Sequence, residues 1–183
     1  LNKKRPGLKV RIINPLFISD KNGGEVLSSI LQERVQQLVE QHQLKEYKIV
    51  VVDHGSPRKE VTEVRNAVAI QLAHRFEVSG IEVASASMER RSGAEYDFNE
   101  PLLETLLARK PYNNGVTIVA QLFLSPGRHA GPDGDIAEIC SSAEITYPDL
   151  RTFRTELIGT HPLLIDLLSR RWGERAEISW LEL

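Results

Sequence analysis

Ile49-Val50-Val51-Val52-Asp53-His54-Gly55-Ser56-Pro57 is an aliphatic run with no polar face that breaks abruptly into polar and turn-forming residues. Such a run reads as a strand covered on both sides, the signature of a parallel sheet. Ser56 followed by Pro57 reads as a helix start, with Ser as N-cap and Pro in the first turn. Val61, Val64, Val68, Leu72 and Phe76 then recur at helical spacing. Working outward, a helical stripe at Leu27, Leu31, Val35 and Leu38 precedes the run, and strand-like residues lie around Val10–Ile13 and Leu16–Ile18, broken at Pro15. Downstream, residues 81–86 read as a strand, and a helix over 101–107 is expected behind Asn99 as N-cap. Strands are expected over 116–124 and 151–158, with helices opening at 135 and carried by Leu163, Leu164, Leu167, Leu168 and Trp172. Alternating strands and helices predict right-handed crossovers and an α/β three-layer sandwich, a mostly parallel sheet flanked by helices.

Composition narrows the function. The 183 residues carry 23 basic and 25 acidic side chains, a formal charge of −2, which argues against a general nucleic-acid binder. The single cysteine, Cys140, excludes an intramolecular disulfide framework and a cysteine-based zinc site. No apolar run approaches the roughly 18 residues that span a bilayer. The basic start, Lys3-Lys4-Arg5, has no apolar stretch behind it, so no signal peptide is expected and a cytoplasmic location is. A start at Leu1 rather than Met suits a fragment or a processed terminus. No glycine-rich phosphate loop of either common type is present, which argues against ATP- or NAD-driven chemistry.

In parallel α/β sheets, ligands sit outside the carboxyl ends of the strands. His54 follows the strand at 49–52, and His129 follows the strand at 116–124 within Ser125-Pro126-Gly127-Arg128-His129. Two imidazoles at one sheet edge suit a divalent metal or proton transfer near neutral pH. Glu89, after the strand at 81–86, is the natural carboxylate to join them as ligand or base. Each has a plain alternative: Asp53 and His54 as loop polar residues, Glu89 as a solvated charge. The stretch from Arg91 to Asn99, with Tyr96 and Phe98, is long enough for a flap, and core packing accounts for it equally well. His74 is expected in solvent, His42 near a helix C-terminus, His161-Pro162 at a helix start, and Cys140 in the core.

These stretches, His54-Gly55-Ser56, then Phe123-Leu124-Ser125-Pro126-Gly127-Arg128-His129 with Asp135-Ile136, then Gly159-Thr160-His161-Pro162, resemble the sirohydrochlorin cobaltochelatases, class II chelatases related in fold to ferrochelatase. Met88-Glu89 and Pro101 match a further family element, though the span from Arg90 to Glu100 is longer than the family's usual spacing, and Met88 replaces an aliphatic. The resemblance covers roughly residues 46–172. It implies ATP-independent insertion of Co²⁺ or Fe²⁺ into sirohydrochlorin or a related tetrapyrrole, in cobalamin or sirohaem biosynthesis. The metal is then a substrate, and no prosthetic group is expected. It also implies His54 and His129 as metal ligands or proton acceptors, with Glu89 assisting. The substrate is a polycarboxylate, so Ser56, Arg58, Arg90, Arg91 and Arg128 beside the site are candidate substrate-binding residues. The alternative is a non-catalytic metal- or tetrapyrrole-binding module for delivery or regulation. An Asp53-His54 hydrolase dyad ranks low, since no nucleophile motif accompanies it. The expected organisation is an extra strand-helix unit at 1–45 on the same sheet and a chelatase-like module at 46–183. That is compatible with a monomer, a homodimer or half of a longer polypeptide.

Overall fold

The computed structural model describes residues 9–11, 15–17, 23–174 and 180–182. Strands β2 (Lys48–Asp53), β3 (Val83–Ser87), β4 (Gly115–Gln121) and β5 (Leu150–Arg154) form an all-parallel sheet in the order β3-β2-β4-β5. Ile49 to Val52 are wholly buried and divide between two cores. Ile49 and Val51 face α1 (Gly23–His42), α2 (Lys59–Phe76) and α5 (Pro162–Gly173), against Leu31, Leu72 and Leu164 among others. Val50 and Val52 face α3 (Leu103–Leu107) and α4 (Asp135–Thr146), against Leu103, Leu107 and Ile136. The α/β sandwich is therefore as expected, with β2 as its axis.

The strand order creates the crevice. After β2 the chain leaves through α2 to β3 on one side, and after β4 it leaves through α4 to β5 on the other. Adjacent strands whose connections depart in opposite directions leave a gap at their carboxyl ends, and ligands collect there. His54 and His129 follow β2 and β4.

Several boundaries differ from expectation for local reasons. Helix α2 opens at Lys59 with Arg58 in the N-cap position, and the Ser56 hydroxyl instead accepts from the Arg58 amide at 3.0 Å, closing a turn ahead of the helix. Its buried face runs through Thr62, Arg65, Val68, Leu72 and Phe76, which leaves Val61 46% exposed. Asn99 caps nothing: α3 begins at Leu103 behind Leu102, and Asn99 is fully buried. Strand β4 ends at Gln121, whose amide turns to the Thr155 hydroxyl (3.0 Å) instead of a strand carbonyl. The N-terminal unit divides. Helix α1 packs on α2, α5 and β4, but β1 (Lys9–Arg11) pairs antiparallel with β6 (Trp180–Glu182) in a separate two-stranded sheet, so the strand does not join the main sheet as expected. Residues 12–14 and 18 of the expected N-terminal strands lie outside the described residues.

Cys140 is 4% exposed, and burial pushes its thiol up to about 11. The reactive thiolate is therefore scarce at pH 8. Ellman's reagent is expected to label the native protein far more slowly than the protein in guanidinium; equal rates would contradict this packing. No helix among the described residues is long and apolar enough to cross a membrane.

Candidate active site

The paired edge of β2 and β3 sets His54 and Glu89 side by side. Beyond the last residue pair of that ladder, Asp53 with Ser87, the Met88 amide donates to the Asp53 carbonyl (2.8 Å) and the Glu89 amide to the His54 carbonyl (3.1 Å). Gly55 has φ of +91°, and a Cβ there would run into the Glu89 carbonyl oxygen, so only glycine lets the chain turn this closely over Glu89. The outcome is a contact of 3.2 Å between His54 Nε2 and Glu89 Oε1. Two donors bound at roughly 2.1 Å to one small cation, at the angles of a tetrahedron or octahedron, stand roughly 3.0–3.4 Å apart. The pair thus has the bite of neighbouring ligands and stands within hydrogen-bonding distance of itself.

His129 arrives from the β4 side. The loop doubles back so that the first amides of α4 grip its own carbonyls: Asp135 N–H donates to Arg128 O (3.2 Å) and Ile136 N–H to His129 O (3.1 Å). Gly134 permits the fold-back, since a Cβ there would lie 2.5 Å from Arg128 O and 2.7 Å from His129 O. Arg154 pins the far side by donating to the carbonyls of Gly131 (3.2 Å) and Pro132 (2.9 Å). The Asp135 carboxylate takes His129 Nδ1 at 2.5 Å. A carboxylate on one ring nitrogen fixes the tautomer and makes the other, Nε2, the coordinating atom. The two imidazole rings stand with centroids 4.5 Å apart, tilted by 44°. The two rings are thus neighbours just past the carboxyl ends of β2 and β4. The side chains of His54, Glu89 and His129 are 47%, 60% and 34% exposed, open to an incoming ion. Among the described residues no three His, Cys, Asp or Glu side chains are grouped tightly enough to hold a metal ion by themselves.

Beneath His54 lies a buried polar layer. The Asp53 carboxylate accepts from the Ser87 hydroxyl (2.8 Å) and stands 3.6 Å from Arg65 Nη1, whose guanidinium also donates to Ser87 Oγ and to the Asn99 carbonyl (3.1 Å). Burial pushes the Asp53 carboxyl above its ordinary value; the Ser87 hydrogen bond and Arg65 oppose that shift.

The arginines separate. Arg90 is spent within its own loop, on Glu100 (2.8 Å), Asp97 (3.1 Å) and the Gly93 carbonyl (3.0 Å), so it holds residues 91–100 in place instead of facing the crevice as expected. Arg91 lies 6.0 Å over the Tyr96 ring, and exposed Arg58 pairs with Glu60 at 3.6 Å. Arg128 is 85% exposed, 3.9 Å from Asp135, beside the imidazoles. Ser56 contributes its hydroxyl to the turn already described. The other three histidines are placed elsewhere. His161 caps α5 and contacts Glu33, His42 stacks on Phe153, and His74 is exposed near Glu77.

Sequence reasoning missed three contributors. Asp135 is named there as part of a helix start and of the family motif but given no role at the site, although its spacing from His129 across a glycine turn was a usable signal. Arg65 falls on the same helical face as Leu72, which the pattern displays once Val61 is set aside. Asn99 carried no signal beyond an expected cap.

Residues 48–175 match the family model described as CbiX. No curated protein matches the chain. Among solved structures, SirB from Bacillus subtilis with Fe3+ is similar, with a TM-score of 0.61 at 14% identity, over 91% of this chain and 58% of that one. The chain thus spans less than two thirds of the length of SirB, and the likeness is one of fold.

Proposed function

The chain belongs to the CbiX family, and from that premise we propose that it is a class II chelatase, inserting Co²⁺ or Fe²⁺ into sirohydrochlorin or a related tetrapyrrole without a nucleotide. The observation that carries this is the meeting of His54, Glu89 and His129 at the switch point between β2 and β4. Metal insertion needs a seat that releases its ion and a base for the two pyrrole N–H protons that leave. Imidazole and carboxylate suit late first-row divalent ions without the grip of a thiolate cluster. His129, oriented by Asp135, presents Nε2 from the β4 side and the His54–Glu89 pair its donors from the β2 side, and donors from the substrate or solvent complete the ion's shell. As the ion passes to the macrocycle, the two pyrrole protons leave one after the other, each taken by the His54–Glu89 pair and passed on to solvent, to which both side chains are open. Arg128 remains the arginine best placed for a substrate carboxylate, which it can bind in bidentate fashion.

Turnover is the test. Under anaerobic conditions, sirohydrochlorin and Co²⁺ or Fe²⁺ are mixed with protein far below substrate concentration, and the absorbance change is followed. Many equivalents of product per protein, formed above the spontaneous rate, are expected. A single equivalent bound with no turnover would replace the enzyme with a delivery or regulatory module.

A further inference from the structure

We propose that Asn99 is a positioning residue for the His54–Glu89 pair, its side-chain amide standing in for a strand where β3 leaves β2. The inference rests on the metal-handling role of that pair. Up to Glu89 the backbone of β3 and its extension pairs with β2 and His54. There the chain diverges into residues 90–100, and the next residues after His54 lose their strand neighbour. Asn99 fills that place. Its Oδ1 accepts from the Ser56 amide at 2.9 Å, and its Nδ2 donates to the Ser56 carbonyl at 2.9 Å. Both main-chain groups of one residue are thus satisfied by one side chain, as a paired strand would satisfy them.

The amide is saturated. Oδ1 also accepts from the Thr62 hydroxyl (3.1 Å), Nδ2 also donates to the Tyr96 carbonyl (3.0 Å), and the Asn99 carbonyl accepts from Arg65. Two acceptor and two donor positions are all that a carboxamide has, and each has a partner. Asn99 is fully buried, so this geometry does not compete with water. His54 is consequently held from two sides, by the Glu89 amide on its own carbonyl and by the anchored Ser56 two residues on. The stretch 91–100 is then a fixed buttress, tied through Asn99 at one end and Arg90 at the other, and not the flap that its length suggests.

The test compares wild type with Asn99→Ala, Asn99→Asp and Thr62→Val, reading Co²⁺ affinity by visible absorbance, insertion kcat and KM, and the His54–Glu89 separation in a crystal structure of Asn99→Ala. Partners that orient metal-binding groups are worth about 10–100-fold when lost. Folded Asn99→Ala is expected to lose about tenfold in Co²⁺ affinity and in kcat, with KM for the tetrapyrrole changed less than about twofold, and to show the His54–Glu89 contact opened. Asn99→Asp, which keeps the acceptors and loses the donors, is expected to fall between. Affinity, kcat and the contact all unchanged in folded Asn99→Ala would overturn the proposal. If that variant does not fold, Thr62→Val decides: a weakened Co²⁺ affinity supports it, and an unchanged one overturns it. If wild type binds Co²⁺ without turnover, the chelatase assignment fails while the affinity comparison still judges Asn99. If wild type does not bind Co²⁺, the crystal structure judges it.

Discussion

Replacing His129 or His54 with alanine is expected to lower the insertion rate by about 10²-fold or more, with melting temperature close to that of wild type. Both side chains are partly exposed, so truncation opens no cavity in the core. The two losses should not add. If the imidazoles serve one cation, removing either dismantles the same seat, and the double variant should be about as slow as the slower single one. Independent, multiplying losses would mean two separate sites; unchanged rates in both variants would remove the mechanism. Glu89→Gln separates ligand from base. It keeps an oxygen donor beside His54 at 3.2 Å but surrenders the proton acceptor, so a rate loss with Co²⁺ affinity preserved marks Glu89 as the base.

The second large effect lies below the site. Arg65→Met should destabilise the protein by about 3–5 kcal/mol, because it strands the buried Asp53 carboxylate without its countercharge. In a chain of this size that corresponds to a fall in melting temperature of about 10 °C or more. The Ser87 hydroxyl and the Gly55 amide would remain as donors to Asp53, but neither carries a countercharge. Adding Asp53→Asn to Arg65→Met should recover part of the stability, since a buried amide costs less than a buried unpaired charge. A melting temperature unchanged in Arg65→Met would show that the layer beneath His54 is not held by charge.

How much of this is legible from sequence depends on whether the deciding interaction is local. Ile49 to Val52 announce a doubly covered strand because burial on both faces leaves no place for a polar residue, and the two histidines are found by looking just past the carboxyl ends of such strands. The sheet order is what brings them together, and it is consistent with the right-handed crossovers that the alternation predicts. Arg65 is obscured by its chemistry: a charged residue on a helix is expected in solvent, and its burial is made tolerable by Asp53, Ser87 and Asn99 on other elements together with neighbouring Asn66. Asn99 is obscured by ambiguity, since an asparagine ahead of an apolar run has the same appearance whether it caps a helix or clamps a distant turn. Pairing of β1 with β6 joins opposite ends of the chain through two short strands, and neither carries a mark of the other. Arg90 is equally opaque, because its partners Asp97 and Glu100 face it only once the loop has folded back.

The most direct test of a shared seat is X-ray absorption on Co²⁺-loaded protein, counting imidazole ligands. Wild type should give two, with His54→Ala and His129→Ala each giving one. A single imidazole in wild type, or a count untouched by either substitution, would contradict the convergence of His54 and His129 on one ion.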